Sequence, residues 1–349
     1  MKKYFGSLIL VISIITSSFS YLKPLQVEAA NDPIVIVIDP GHGGTGDRNL
    51  GAQYNGFSEK EITLQVANAM KAELEKYDNV TVYLTRTTDV VMTLEDRAAF
   101  AKSVNADFMF SIHFNASPEH NYYGSEVWTS AFGSYYQKGQ TFAQIESAEL
   151  SALGLYQKGA KTKIGGSGKD YYGIIRASVA RDIPCVIIEH AYLDHTYDLP
   201  FLKASGAMNT FGVADATAVA KYFKLSSSAT GTDYSNYQYA TAKKPRTAVY
   251  QDTTEPDVCE ITLKAYDSLT RNALIEMTTY DKQTPIIYFS YSYDGGQTFS
   301  TLQMWDSSKR TQSFNVHVPG TLSNPTIILR AYNNYELFSQ SNAVTFQFQ

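Results

Sequence analysis

Two histidines in this sequence follow directly after apolar runs that read as strands. His42 lies in a glycine-rich loop after residues 34–38, and His113 comes directly after residues 108–112. Because open α/β sheets place their ligands at the carboxyl ends of strands, two imidazoles at such ends can share one site. Glu59, at the start of the helix predicted after the loop, adds a carboxylate. Two imidazoles and one carboxylate leave the fourth tetrahedral position of a zinc ion for water, so these residues predict a metal site for hydrolysis.

A further carboxylate, Glu189, ends the apolar run of residues 185–188. Hydrolysis by an activated water needs a group that takes the water's proton and passes it to the departing amine. A carboxylate at the end of so apolar a strand is expected to be partly desolvated, with a raised pKa. Glu189 is therefore predicted to be the catalytic acid and base. The alternative is a surface glutamate that caps a turn.

The segments around these residues alternate between strand and helix patterns. Strands are predicted at 34–38, 81–84, 108–112 and 186–188, and helices after Ser58 and at 94–104, 141–157 and 206–223. Ser58 and Glu61 have the spacing of a capping box. Alternation of this kind predicts an α/β domain, with an open mixed sheet flanked by helices, over residues 33–225.

The C-terminal part has a different pattern. Residues 226–236 lack apolar periodicity, which predicts a linker over 226–245. Short alternating runs over 246–349, separated by Gly, Pro, Asn and Asp, predict a small all-β, immunoglobulin-like sandwich. The tyrosines of this domain either fill its core or form an exposed platform for sugar rings.

The first residues have the pattern of a signal peptide. Lys2 and Lys3 precede an apolar run at 7–16, and small residues follow at 29–30. The run is too short for a spanning helix of about 20 residues, which disfavours the alternative of a membrane anchor. Residues 1–29 therefore predict a secreted, extracellular protein without stable membrane insertion after cleavage.

Charge and cysteine content limit the partners. The 349-residue chain has a formal net charge of −5, which argues against nucleic acid as a partner. Its two cysteines, Cys185 and Cys259, are far apart in sequence and are predicted to be buried thiols rather than a disulfide.

The glycine-rich loop also fits a dinucleotide-binding pattern, G-x-G-x-x-G, at residues 41–46. Three features oppose that alternative: Pro40 enters the turn, the next helix is predicted only after Ser58, and the chain is predicted to be exported.

Over residues 33–223 the sequence resembles the zinc-dependent N-acetylmuramoyl-L-alanine amidases of the Amidase_3 type. The resemblance rests on residues 38–44 (IDPGHGG), 59–60 (EK), 85–86 (TR), the 94–101 helix with Arg97, 111–116 (SIHFNA) and 183–189 (IPCVIIE). It implies zinc ligands at His42, Glu59 and His113, a catalytic Glu189, and substrate binding by Arg176 and Asn115. The sequence departs from the family pattern at residues 190–195 (HAYLDH).

The resemblance implies a secreted zinc hydrolase that cleaves the amide between N-acetylmuramic acid and L-alanine in peptidoglycan. One alternative is a non-catalytic cell-wall-binding protein on an amidase scaffold, which the intact set of His42, Glu59, His113 and Glu189 disfavours. Another is a zinc peptidase that acts on the stem peptide. A further hypothesis is that the C-terminal domain binds the cell wall.

Overall fold

Apolar runs of the N-terminal domain assemble into a six-stranded mixed sheet in a computed structural model, which describes residues 32–347. The strands of this domain are β1 Ile34–Pro40, β2 Gln53–Tyr54, β3 Phe57–Ser58, β4 Val80–Leu84, β5 Phe108–Asn115, β6 Ser125–Thr129, β7 Gln157–Lys161 and β8 Cys185–Tyr192. Its helices are α1 Asp47–Leu50, α2 Glu59–Leu74, α3 Leu94–Ser103, α4 Gly133–Ala152, α5 Gly173–Val179, α6 Leu199–Lys203 and α7 Ala207–Phe223. The signal peptide predicted at residues 1–29 lies outside the described residues.

The sheet has the strand order β4-β1-β5-β8-β6-β7. Strands β4, β1, β5 and β8 are parallel, whereas β6 runs antiparallel to β8 and parallel to β7. Because parallel strands end at the same edge of a sheet, the carboxyl ends of β1, β5 and β8 lie side by side. This mixed sheet confirms the α/β prediction.

Side chains alternate between the two faces of the sheet, and each face is covered by helices. Ile38 and Phe110 belong to a core with residues of α2, α4 and α7. Val37, Met109 and Ile187 belong to a second core with residues of α3 and α5. Because both faces are buried, the central strands are apolar at nearly every position, as their sequence pattern indicated.

Several local predictions differ from the structure. Ser58 precedes α2 but forms no side-chain cap, since its hydroxyl accepts a hydrogen bond from Gln53 Nε2 at 3.0 Å, so the predicted capping box is wrong. Helix α4 begins at Gly133 rather than at residue 141. Strands β6 and β7 were not predicted, because they carry polar and charged side chains without apolar alternation.

The C-terminal domain is all β. Its strands are β9 Val258–Asp267, β10 Asn272–Tyr280, β11 Ile286–Ser292, β12 Gln303–Met304, β13 Thr311–His317, β14 Thr326–Asn333, β15 Phe338–Gln340 and β16 Val344–Thr345. One sheet has the order β13-β10-β9, and the other has the order β12-β11-β14-β15, with β16 paired to β14. Apolar residues of both sheets, Ile275, Met277 and Leu329 among them, form the core. Cys259 and Cys185 are both buried and free, as predicted.

The two domains are in contact, and the described residues from Pro33 onward form one compact unit. Residues of the predicted linker lie against the N-terminal domain: Ser228 N donates to Asp78 Oδ2 at 2.8 Å, and Tyr239 Oη donates to the Tyr222 carbonyl at 2.8 Å. No helix within residues 32–347 is long and apolar enough to cross a membrane.

Tyrosines of the C-terminal domain contribute to this interface. Tyr288 and Tyr332 are buried in a cluster with Tyr123, and the Tyr288 hydroxyl donates to the Tyr123 carbonyl. Tyr156 joins the same cluster from the N-terminal domain and donates to the Trp305 carbonyl at 3.1 Å. These rings therefore join the domains rather than forming an exposed platform.

Candidate active site

The three residues predicted as metal ligands meet at the carboxyl edge of the sheet. Glu59 Oε2 lies 3.2 Å from His42 Nε2, and Glu59 Oε1 lies 3.0 Å from His113 Nδ1. One ligand atom from each residue falls within 4.8 Å of the others. The arrangement follows from the topology: β1 leads into the loop with His42, the adjacent β5 carries His113, and α2 begins at Glu59.

These donors suit zinc in type and spacing. A tetrahedral ion about 2.1 Å from each ligand requires ligand atoms about 3.4 Å apart. Glu59 approaches His42 and His113 through different oxygens, at 3.2 Å and 3.0 Å, and one ligand atom from each of the three residues lies within 4.8 Å of the others, a separation that such an ion can bridge after small side-chain adjustments. Imidazole nitrogen with carboxylate oxygen also fits zinc better than calcium or magnesium, which prefer all-oxygen sites.

Glu59 is held as a carboxylate. Burial opposes its charge, but hydrogen bonds with His113 and His42 outweigh burial and lower its pKa well below the usual range. Backbone amides of Ala52 and Phe114 also donate to its oxygens at 2.7 Å and 3.1 Å. These contacts fix the carboxylate in the ionised form that a metal ligand requires.

The loop that carries His42 is held by a buried arginine. His42 itself has a positive φ of 61°, a conformation that side chains rarely adopt and that surrounding contacts must support. Arg97 donates to the carbonyls of Pro40 at 2.7 Å and His42 at 2.5 Å. Gly41 allows the loop to touch His113, because a Cβ on Gly41 would lie 2.4–2.8 Å from three atoms of that imidazole.

Asp39 anchors this arginine. Its carboxylate accepts from Arg97 at 2.6 Å, from the Thr85 hydroxyl at 2.6 Å and from the Ser111 hydroxyl at 2.8 Å. Burial opposes ionisation of Asp39, but Arg97 and the two hydroxyls lower its pKa. Asp39 therefore supports the loop through Arg97, and no bond to an imidazole is among its hydrogen bonds.

Glu189 lies on β8 beside His113, its partner in the β5–β8 register. Its Oε2 atom is buried and has no hydrogen-bond partner within residues 32–347. Burial, followed by the charges of Glu59 and Glu126, raises its pKa well above the usual range. A carboxyl group with a raised pKa beside a metal-ligand set is suited to proton transfer near neutral pH.

The two predicted substrate-binding residues lie in different places. Asn115 ends β5, two residues beyond His113, and lines a cavity of about 510 Å³. Arg176 lies on α5, donates to the carbonyls of Asp170 at 2.7 Å and Tyr171 at 2.9 Å, and lines a separate cavity. Asn115 and Arg176 therefore line different cavities, and the cavity at Asn115 is connected to the candidate site through β5 rather than lined by the proposed ligands or Glu189.

Charged residues that sequence reasoning missed surround Asn115. Glu126 Oε1 accepts from Asn115 Nδ2 at 3.0 Å, and Glu126 Oε2 pairs with Lys161 at 2.6 Å and Lys158 at 3.1 Å. Burial disfavours the Glu126 charge, but the two ammonium groups outweigh burial and lower its pKa to about 2. These residues lie on β6 and β7, where no apolar alternation pointed to strands.

His190, next to Glu189, faces the core. Its Nε2 lies 2.9 Å from Asp215 Oδ1, and its Nδ1 lies 3.1 Å from the His113 carbonyl. His190 therefore supports the strand of His113 from within the core.

Comparisons with known proteins converge on the N-terminal domain. The family model described as N-acetylmuramoyl-L-alanine amidase matches residues 36–221. The chain is similar to N-acetylmuramoyl-L-alanine amidase CwlM of Bacillus licheniformis, with 32% identity over 203 residues, 56% of this chain and 71% of that protein. It is 30% identical over 194 residues to the sporulation-specific N-acetylmuramoyl-L-alanine amidase of Bacillus subtilis (strain 168), covering 55% of this chain and 69% of that protein. Among solved structures, Cwp6 from Clostridium difficile has a TM-score of 0.51 at 28% identity, covering 55% of this chain and 30% of that chain.

Proposed function

The chain belongs to the N-acetylmuramoyl-L-alanine amidase family, and on that premise we propose that it is a secreted zinc hydrolase of peptidoglycan. The bond cleaved is the amide between N-acetylmuramic acid and L-alanine. The observation that carries the proposal is the convergence of His42, Glu59 and His113 within 4.8 Å, with Glu189 on the adjacent strand.

His42, Glu59 and His113 are the residues that would hold the metal. A zinc ion with three protein ligands supplies Lewis acidity and a nucleophile at neutral pH. Two imidazoles and one carboxylate contribute a single negative charge, which leaves the site electrophilic. Arg97 and Asp39 keep the His42 loop in place through the contacts described above.

Glu189 would move the proton. Its unpartnered Oε2 can accept a proton from the attacking water and then donate it to the nitrogen of the departing L-alanine. The direction of the pKa shift agrees with this role, because burial and the charges of Glu59 and Glu126 raise the pKa of Glu189 above the usual range of a carboxyl group and so favour its protonated form after the water is deprotonated.

Export and wall association complete the proposal. The signal-peptide pattern of residues 1–29 supports export to the compartment where peptidoglycan lies. Binding of the C-terminal domain to the wall remains a prediction, tested by whether full-length protein pellets with purified walls in excess chelator.

Digestion of purified peptidoglycan tests the reaction. We expect mass spectrometry to find intact stem peptides with a free L-alanine amino terminus, together with glycan chains that lack peptides. Shortened stem peptides still attached to muramic acid would indicate a peptidase. Wall binding without any product would indicate a non-catalytic protein. The Glu189→Gln variant is the matched control for contaminating hydrolases.

A further inference from the structure

The cavity that Asn115 lines is formed by residues of both domains. Asn115 and Trp128 line it from the N-terminal domain, and Tyr335 and Glu336 line it from the C-terminal domain. The latter two belong to the turn between β14 and β15, residues 334–337, which we name the cleft turn. A domain that sequence alone presents as an accessory therefore contributes to the wall of a cavity that is also lined by Asn115, two residues after His113 on β5.

The cleft turn is fixed to the N-terminal domain. The Tyr335 hydroxyl accepts from the Thr162 amide at 3.0 Å and donates to the Thr162 carbonyl at 2.9 Å. Its ring lies edge-on to Trp128, with ring centroids 6.3 Å apart. These contacts and the tyrosine cluster around Tyr288 hold the cleft turn in a fixed position in the cavity wall.

Glu336 completes a buried group of charges. Glu336 Oε1 lies 2.5 Å from Lys158 Nζ, and the Lys158 side chain is fully buried. Lys158 and Lys161 also pair with Glu126, so the group contains two lysines and two glutamates. Without Glu336 the group would hold one uncompensated positive charge, which is strongly unfavourable in a buried position. The C-terminal domain thus supplies a counter-charge to the N-terminal domain.

The same contacts lead to the candidate active site. Glu126 joins Lys158 to the Asn115 amide, which donates to it at 3.0 Å. Glu126 is also the register partner of Glu189 across β6 and β8. The Glu336 side chain is 29% exposed, so part of it lies open at the cavity wall.

We propose that the cleft turn is a wall of the substrate cleft and that Glu336 is a positioning residue supplied by the C-terminal domain. Glu336 holds Lys158, Lys158 together with Lys161 holds Glu126, and Glu126 orients the amide of Asn115 at the cleft. This inference rests on the proposed function: the cleft takes the polar part of a peptidoglycan fragment that extends from the scissile amide past Asn115.

The test uses the full chain and a soluble disaccharide-peptide prepared from peptidoglycan. We expect Glu336→Gln to raise KM about 10-fold and to change kcat less than about threefold, because it weakens binding rather than the chemical step. Glu276→Gln is the matched control, since Glu276 pairs with Lys264 at 2.8 Å in the same domain, is partly exposed, and is not among the residues that line the cavity. It should leave KM and kcat unchanged.

A double variant separates positioning from charge balance. Loss of Glu336 alone should lower thermal stability, and Lys158→Met combined with Glu336→Gln restores charge neutrality, so we expect thermal stability to recover in the double variant. KM should stay raised, because one of the two lysine contacts that position Glu126 is still missing. Recovery of wild-type KM in the double variant, or unchanged KM in Glu336→Gln, overturns the proposal.

Binding distinguishes this proposal from the proposed function. The affinity of the disaccharide-peptide is measured by calorimetry in a Glu189→Gln background, with and without Glu336→Gln. An approximately 10-fold loss of affinity supports the cleft turn even if the wild-type chain cleaves a different bond. Cleavage of the expected bond with unchanged affinity refutes only the role of Glu336, and a wild-type chain that neither cleaves nor binds refutes both.

Discussion

Substitution of Gly41 by alanine tests whether the contact between the loop and His113 sets the metal site. An alanine Cβ would lie 2.4, 2.5 and 2.8 Å from Cε1, Nε2 and Nδ1 of His113, where ordinary contact begins at 3.4 Å. The imidazole would have to move by about 1 Å, whereas ligand distances in metal sites vary by only about 0.2 Å. Gly41 does not have a positive φ, so alanine itself fits the backbone.

We expect Gly41→Ala to weaken zinc affinity by at least about 10²-fold, since the substitution displaces His113, a proposed ligand, rather than a residue that only holds a ligand in place. Overpacking of this kind destabilises proteins by about 1–3 kcal/mol, so the fold should remain. Zinc affinity is measured by competition with a chromogenic chelator, and unfolding by calorimetry of the metal-free protein. Gly166→Ala is the control, because its Cβ would meet open space and its φ is not positive. Wild-type zinc affinity in a folded Gly41→Ala variant would refute the reasoning.

Four further predictions concern the metal, the proton and the pH dependence of stability. Excess chelator should abolish peptidoglycan cleavage, and added zinc should restore it; full turnover in chelator would contradict a metal site. Glu189→Gln should keep zinc and lose at least about 10²-fold in rate, measured by metal analysis beside turnover, because a positioned general base contributes 10²–10⁴. His113→Ala should lose zinc and activity, whereas His120→Ala, at a side chain that is 51% exposed, should keep both. Burial raises the pKa of Asp198 from 3.8 to about 6, so protonation favours the folded state: its contribution is complete below about pH 4 and is lost as pH rises to 6. Relative to Asp198→Asn, the free energy of unfolding of the wild type should therefore fall by about 3 kcal/mol between about pH 3 and pH 7, of which about 2 kcal/mol falls between pH 4 and pH 6, measured by denaturant titration.

Two results would contradict the predictions for Glu189 and Asp198. Loss of zinc in Glu189→Gln with activity retained after metal is restored would show that the glutamate is a ligand rather than the base. Parallel stability curves for the wild type and Asp198→Asn between pH 4 and 6 would show that this carboxyl has an ordinary pKa in the folded protein.

Local sequence patterns were sufficient to predict much of the structure of the N-terminal domain. The apolar runs at β1, β5 and β8 predicted buried strands, because a strand covered on both faces must be apolar at nearly every position. The same runs predicted where His42, His113 and Glu189 would lie, since strand ends in a parallel sheet share an edge. The motifs of residues 38–44 and 111–116 were likewise readable from the sequence.

Tertiary structure alone decided what surrounds these residues. Lys158 and Glu336 are 178 positions apart, so no local pattern could pair them. Strands β6 and β7 could not be predicted from the sequence, because they lack alternating apolar residues. Their charged side chains are stabilised instead by ion pairs between different strands. The periodicity of apolar residues indicates which face of a helix or strand is buried. Which side chains pair with each other depends instead on the topology, because the topology brings segments that are distant in sequence together. For that reason the sequence by itself determined the proposed ligands and base, and only the folded chain decided that the C-terminal domain lines the cavity at Asn115.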